Sequence, residues 1–236
     1  MIDGSRGSRR ARVAAVLVAL AVGVAAPAAA QVIKLPAAIA AKKQLTVAVN
    51  AIFPPMEFKT PGTTEIVGVD IDIARALGQA LGVTVVFVDQ KFDQLLPSVT
   101  TGRVDAVISA LSDTAARRQS FDFIDYFTTG TQAYTTTAYA STIRSLADLS
   151  GKTLAVSAAT DYLTTIRQWS AQNLEAKGRP GITLLPVDSE ATARLQIVQR
   201  RAQGSAIGPE VLAWLSKENP GQYVAIGGIL APDPYG

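Results

Sequence analysis

The chain has no cysteine and no histidine among its 236 residues. Without cysteine it can form no disulfide, offer no thiol nucleophile and carry no lipid anchor on a cysteine. Without histidine it cannot be a serine hydrolase with a histidine base, and Cys/His zinc sites are also excluded. A glycine-rich dinucleotide fingerprint, a complete phosphate-binding loop and an internal repeat are missing as well. We therefore expect no cofactor, no metal site and no catalytic residue of these classes.

Charge is sparse, since only 17% of residues are charged and the formal net charge is +3. Residues 1–30 hold four arginines against one aspartate, so the rest of the chain has 18 basic and 18 acidic residues. A neutral chain with 6% aromatic residues and no long basic run offers no footprint for a phosphate backbone. We expect no nucleic-acid partner.

The first thirty residues are typical of a targeting segment. The basic run "RGSRRAR" precedes the apolar run "VAAVLVALAVGVAA", and "PAAAQ" supplies the small residues of a cleavage site after Ala30. This pattern predicts a signal peptide at 1–30 and export to the periplasm or the extracellular space. The alternative is a retained membrane anchor over 13–30, which weakly hydrophobic alanines and Pro27 make less favourable.

Strand and helix patterns alternate through the remainder of the chain. In the first half, "QLTVAVN", "VTVVFV" and "VDAVIS" predict strands, and helices are predicted from Asp70 to a stop at Gly82 and over 93–102. The β-branched run 128–140 predicts an extended crossing to a second series of strands and helices, in which Ser189 caps a helix. The order predicts two α/β units in tandem.

The motifs resemble those of bacterial extracellular solute-binding proteins of family 3, the polar amino-acid-binding components of ABC importers. The runs that carry the resemblance are "LTVAVNAIFPPMEF", "GVDIDIARALGQALG", "FDQLLPSVTTGRVDAVIS", "SDTAARRQSFDFIDYF", "SLADLSGKTLAVSAATD" and the final "PYG". The resemblance implies a two-lobed α/β fold of the type II periplasmic-binding-protein kind, with a mostly parallel sheet flanked by helices in each lobe. It also implies capture of a small solute for a membrane permease.

The predicted domains are a linker at 31–43, lobe 1 at 44–130, lobe 2 at 131–230 and the start of a return to lobe 1 at 231–236. Hinges are expected near 128–138 and 228–236. In the family the chain continues after "PYG" with a strand and one or two helices of lobe 1, so a truncated return is expected here.

The site implied by the resemblance centres on Arg117, which matches the family's carboxylate-binding arginine, with Arg118 facing solvent. Ser112–Thr114 should begin a helix whose N–H groups point at the same anion. By the same match, Ser112 offers a hydroxyl to the carboxylate and Ser109 a carbonyl to the amine. The resemblance also implies a polar contact from Asn50 and aromatic walls from Phe53 and Phe92. In lobe 2 it implies contacts from Thr160 and Asp161, at the start of a helix.

Two residues depart from the family pattern within this site. Gly208 stands where the family usually has the aspartate that holds the ammonium group, and Asp161, Glu210 or Asn50 are candidates to replace it. Ala115-Ala116 replaces the family's Pro-Glu, which should weaken the helix start slightly.

The leading hypothesis is a binding protein for a small carboxylate-bearing solute such as an amino acid. A dehydratase-like enzyme on the same fold is the alternative, and it would need Glu210 or Asp161 as a positioned acid. A third hypothesis is the ligand-sensing domain of a receptor.

Overall fold

The computed structural model describes residues 34–236, so the predicted signal peptide at 1–30 lies outside the described residues. Six α-helices are present in this part of the chain: α1 Ala37–Lys42, α2 Val69–Leu81, α3 Leu95–Thr100, α4 Asp161–Asn173, α5 Glu190–Val198 and α6 Pro209–Glu218. Short 3-10 turns lie at Phe92–Gln94, Arg117–Gln119, Leu146–Leu149 and Glu175–Lys177. None of the helices in 34–236 has the length and apolarity needed to cross a membrane.

The same part of the chain contains eleven strands. They are β1 Gln44–Val49, β2 Ile52–Phe53, β3 Glu57–Lys59, β4 Ile66–Val67, β5 Thr84–Asp89, β6 Ala106–Val107, β7 Phe127–Thr136, β8 Thr153–Ser157, β9 Thr183–Val187, β10 Ser205–Ile207 and β11 Tyr223–Tyr235. The predicted alternation of strands and helices is confirmed in both halves. One difference is α1, a short helix inside the segment predicted as a linker.

Lobe 1 is built on a parallel sheet in the order β5-β1-β6. Helix α2 lies after a small antiparallel sheet, β2-β3-β4, and ends as predicted, because Gly82 takes the left-handed conformation that stops a helix. The fully buried side chains Val47, Val49 and Ile71 form the centre of this lobe. The apolar β1 run is therefore covered on both faces, as a parallel strand requires.

Lobe 2 has its own, larger core. Strands β8 and β9 pair in parallel, and a bridge between Leu154 and Gly204 joins β8 to β10. Leu154, Ile166 and Ile207, from two strands and α4, are fully buried in this core. Helix α5 starts as predicted, because the Ser189 hydroxyl accepts a hydrogen bond from the Thr192 backbone N–H.

Two long strands connect the lobes. β7 pairs antiparallel with β11 along its whole length, from Thr136 opposite Tyr223 to Phe127 opposite Tyr235. β11 ends against lobe 1, where the backbone N–H of Gly236 donates to the carbonyl of Leu111 at 3.1 Å. The predicted last strand ended at 230, but the strand continues to Tyr235, because prolines are tolerated on an edge strand.

The β7–β11 pair leaves no room for a side chain at Gly130. A Cβ atom there would lie 2.4 Å from Cγ2 of Ile229 and 2.7 Å from the carbonyl oxygen of Ala231. By contrast, a Cβ at Gly228 on the same strand pair meets nothing within 4 Å. The connection between the lobes therefore depends on a close approach of two backbones at one position.

We expect Gly130→Ala to destabilise the protein by about 2 kcal/mol, because a small-to-large change against backbone atoms forces the strands apart. Thermal unfolding followed by circular dichroism should show a melting temperature about 5 °C lower than that of the parent. Gly228→Ala is the matched control and should shift it by less than about 2 °C. Equal shifts in the two variants would contradict this account of the strand pair.

Candidate functional site

A cleft between the lobes holds about 540 Å³ of empty space, part of it open to solvent. Both lobes contribute to its walls, and six of the eight predicted site residues are among the lining residues, which are Asn50, Ile52, Phe53, Glu57, Phe92, Ser109, Ala110, Ser112, Ser157, Thr160, Tyr162, Asp188, Ser189 and Glu190. Arg117 lines a neighbouring depression that shares Phe92 with the cleft. Asp161 lines neither space among the described residues.

The topology explains why these residues meet. Asn50 directly follows β1, and Ser109 follows β6, so both lie past the carboxyl ends of parallel strands of lobe 1. Ser157 ends β8 and Asp188 follows β9 in the same way in lobe 2. Ligands of parallel α/β sheets bind at such edges, because strands end and helices begin there. The two lobes thus present their binding edges to one cleft.

Arg117 connects the lobes across the cleft. Its guanidinium donates a hydrogen bond from Nη1 to the carbonyl of Ser112 at 2.7 Å and one from Nη2 to the carbonyl of Ala159 at 3.3 Å. The predicted α-helix start at Ser112–Thr114 is wrong, since the segment forms only a 3-10 turn at Arg117–Gln119. The Thr114 hydroxyl accepts from the Arg117 N–H at 3.2 Å and fixes this turn.

Two acids balance the Arg117 charge. Burial lowers the pKa of Arg117, while the charges of Asp161 in lobe 2 and Asp233 on β11 act in the opposite direction. Burial raises the pKa of Asp233 to about 6, against the hydrogen bond from Ser112 and the charge of Arg117. Arg117 therefore remains a cation, held half-buried between acids that come from two different parts of the fold.

Arg118 differs from its neighbour in its surroundings. It is exposed and forms an ion pair with Asp113. That carboxylate raises the pKa of the Arg118 guanidinium. The two adjacent arginines thus have separate environments, one half-buried beside the cleft and one on the surface.

The predicted polar contacts of lobe 1 are engaged with each other. The Ser112 hydroxyl donates to Oδ2 of Asp233 at 3.0 Å, and the Ser109 hydroxyl donates to Oε1 of Glu57 at 2.7 Å. The Asn50 side-chain amide donates to the carbonyl of Gln90 at 2.8 Å. These bonds fix the orientation of the lobe 1 wall, and the ligand contacts of the three residues stay predictions.

The lobe 2 wall begins at Thr160, which precedes α4. The backbone of Thr160 occupies the capping position, but its hydroxyl donates to the carbonyl of Ser157 at 2.8 Å and makes no capping bond. Asp161 is the first residue of α4, where an acidic residue is favoured by the helix dipole. The first-turn N–H groups of α4 therefore lie beside the cleft.

Two aromatic side chains from lobe 1 line the cleft. Phe53 packs against the core of lobe 2, and Phe92 packs against the core of lobe 1. A further contact between lobes joins Phe58 on β3 to Trp214 on α6, with ring centroids 5.4 Å apart. Together with the bond from Arg117 to Ala159, these contacts describe a closed arrangement of the lobes.

Glu210 occupies the space left by the glycine at 208. A Cβ atom on Gly208 would lie 2.0 Å from Oε1 of Glu210 and 2.6 Å from its carboxyl carbon. The Tyr235 hydroxyl donates to Oε1 at 3.0 Å, and the Thr129 hydroxyl donates to Oε2. A carboxylate therefore stands next to the position where the sequence lacks the expected aspartate.

Several cleft residues were not predicted from the sequence. Glu57, Ser157, Tyr162, Asp188, Ser189 and Glu190 all line the cleft. Burial and the neighbouring charge of Asp70 raise the pKa of Glu57 well above its usual value. The sequence does mark Glu190 as unusual. It shares a helical stripe with Ala193 and Ile197, where an apolar residue facing the core is expected.

Two α/β lobes, a pair of crossing strands and a cleft between them that carries both apolar and charged side chains define a two-lobed solute-binding protein. The chain belongs to the bacterial extracellular solute-binding proteins, family 3, whose family model matches residues 45–226. This finding confirms the family and the fold class expected from the motifs.

Two curated relatives and one solved structure illustrate the similarity. The arginine-binding protein ArgT of Corynebacterium glutamicum is 34% identical over 203 residues, which cover 86% of this chain and 66% of ArgT. The L-arginine-binding protein of Pseudomonas aeruginosa is 30% identical, with 72% of this chain and 62% of that protein covered. The structure of holo ArgBP from T. maritima superposes with a TM-score of 0.71 at 30% identity and covers 84% of this chain and 83% of that chain. The chain thus spans slightly less than two thirds of the length of these curated relatives.

The raised pKa of Asp233 predicts a pH dependence of stability. A carboxyl group with a pKa of about 6 when folded and about 3.9 when unfolded binds more protons in the folded state between these pH values. Stability therefore falls as pH rises from about 4 to about 6. The penalty of the ionised group is fully present above about pH 6 and absent below about pH 4.

We expect Asp233→Asn to raise the free energy of unfolding by about 2 kcal/mol at pH 7.5, since the amide oxygen can still accept from Ser112. Urea unfolding of the ligand-free protein at pH 7.5 and pH 4 is the measurement, and the gain should vanish at the lower pH. Asp122→Asn, at an exposed acid, is the control and should change little. A destabilised Asp233→Asn variant at pH 7.5 would contradict this assignment.

Proposed function

We propose that the protein acts outside the cytoplasm as the substrate-binding component of an ABC importer. In this proposal, an amino acid or a related small carboxylate is captured between the two lobes and is delivered to a membrane permease. In the same proposal the signal peptide directs export and is cleaved near Ala30. The observation that carries the proposal is the Arg117 guanidinium, which hydrogen-bonds to carbonyls of both lobes in a depression that adjoins the cleft.

The surroundings of Arg117 fit a carboxylate receptor. A carboxylate that leaves water must regain its hydrogen bonds, and a guanidinium supplies two parallel donors in a fixed geometry. Carbonyl oxygens now accept two of the Arg117 N–H groups, although a guanidinium has five such donors in all. The N-terminus of α4 adds a second source of positive potential beside the cleft.

An acceptor for the ligand's ammonium group is proposed at Glu210. Its carboxylate stands where the side chain of an aspartate at 208 would begin, and the hydroxyls of Tyr235 and Thr129 hold it in place. The charge of Asp161, the other acidic candidate, instead stabilises the cationic form of Arg117. Neither acid is among the residues that line the cleft. We propose Glu210 because its carboxylate lies beside the space above Gly208.

Binding without chemical conversion is the function that these contacts favour. Both Glu210 oxygens already accept hydrogen bonds from hydroxyl groups, so Glu210 is not poised to pass a proton to a ligand. The curated relatives are named as binding proteins. Those named for arginine support an amino acid as the solute in this chain.

The test is thermal unfolding of the parent protein, Arg117→Ala and Arg118→Ala with a panel of the common amino acids, opines and dicarboxylates. We expect one class to raise the melting temperature of the parent by several degrees, since ligand binding to the folded state adds directly to stability. Arg117→Ala should lose at least about a hundredfold in affinity, because the ligand carboxylate loses its charged partner.

Arg118→Ala is the matched control, because it removes the same charge one residue away on the exposed side. Its affinity should stay within about threefold of the parent, as exposed ion pairs contribute little. Ligand recovered from the mixture should be chemically unchanged. Equal losses in the two variants, or unaltered binding by Arg117→Ala, would refute the proposed site.

A further inference from the structure

Glu190 is a charged residue in an apolar position. It is the first residue of α5 and shares a buried stripe with Ala193 and Ile197, which pack into the core of lobe 2. Only 8% of its surface is exposed, yet it lines the cleft. An acid at the start of a helix is common, but such acids normally face solvent.

The Glu190 carboxyl group has no hydrogen-bond partner within residues 34–236, on either oxygen. Buried polar groups are almost always paired, and a buried carboxylate without partners is costly. Burial raises the pKa of Glu190 to about 8, and the charge of Arg194, one turn further along α5, opposes this only in part. The other titratable neighbours are Tyr134 on β7 and Tyr162 on α4, and neither is a cation.

A structural role alone does not explain this arrangement. A protonated Glu190 would still need an acceptor for its proton and donors for its oxygens, and these are missing among the described residues. A ligand group with several N–H donors and a positive charge would satisfy both oxygens at once. A guanidinium does so with two parallel bonds, and an ammonium does so with a point charge.

We propose that Glu190 binds the cationic end of the ligand's side chain and makes the cleft selective for amino acids that carry a guanidinium or ammonium group there. The inference rests on the proposed function, in which Arg117 holds the ligand carboxylate. Phe53 and Phe92 from lobe 1 line the same cleft and offer apolar surface to the methylene chain of such a ligand. Glu190 is then the residue that determines specificity within the site.

Calorimetric titration of the parent protein and Glu190→Gln with arginine, lysine, citrulline and glutamine tests this inference. Citrulline is the key probe, because it matches arginine in shape and lacks the charge. The parent should bind arginine at least about tenfold more tightly than citrulline. The Glu190→Gln variant should bind arginine at least about tenfold more weakly than the parent does. The affinity for citrulline should differ by less than about threefold between Glu190→Gln and the parent, because the glutamine can still hydrogen-bond to citrulline.

Glu218→Gln is the matched control, because it makes the same change at an exposed position near the end of α6. It should leave both affinities unaltered. The melting temperature of each ligand-free variant shows whether it folds. If Glu190→Gln does not fold, the ratio of the parent's affinities for arginine and citrulline is the test of the inference.

The possible failures are distinguishable. A parent protein that binds glutamine or citrulline as tightly as arginine would overturn the role of Glu190 and leave the proposed function standing. An unchanged preference for arginine in a folded Glu190→Gln variant would do the same. A parent protein that binds no amino acid at all would overturn both the inference and the proposed function.

Discussion

The contact between the two lobes depends on one half-buried cation that both lobes share. The Arg117 guanidinium donates to a carbonyl of each lobe, and its charge is balanced by Asp161 from lobe 2 and Asp233 from the returning strand. A half-buried cation must regain hydrogen-bond acceptors in place of the water that it has lost. The lobes and the β11 strand must therefore assemble together for this residue to be satisfied.

The crossing strands supply that assembly. β11 leaves lobe 2, pairs with β7 along its whole length and brings Asp233 and Tyr235 to lobe 1. Tyr235 is fully buried. Its hydroxyl lies 2.7 Å from the hydroxyl of Tyr162 and donates to the carboxylate of Glu210 at 3.0 Å. The strand pair that connects the lobes thus also contributes residues to the candidate site, and in the proposed function a movement of one lobe would change their contacts directly.

Much of the fold could be predicted from the sequence, because periodicity and end signals are local. The stop of α2 at Gly82 and the cap of α5 at Ser189 follow from single residues. The turn before Arg117 was predicted as an α-helix, but local pattern could not show that the segment instead forms a 3-10 turn, pinned to β11 by the bond from the Asp113 N–H to the Pro234 carbonyl. Glu210 was a candidate from the sequence and Glu190 stands on a core-facing helical stripe, but the contacts of Glu210 with Tyr235 and Thr129 and the place of Glu190 in the cleft depend on distant elements that a linear pattern does not contain.

The proposed function requires that the cleft recognise a carboxylate through the Arg117 guanidinium. The most direct measurement is calorimetric titration of the parent protein with its tightest-binding amino acid and with the α-carboxamide of the same amino acid. The carboxamide has nearly the same shape, but an NH2 group replaces one carboxylate oxygen and the negative charge is lost. The account predicts that the carboxamide binds at least about a hundredfold more weakly. Equal affinity for the two compounds would contradict it.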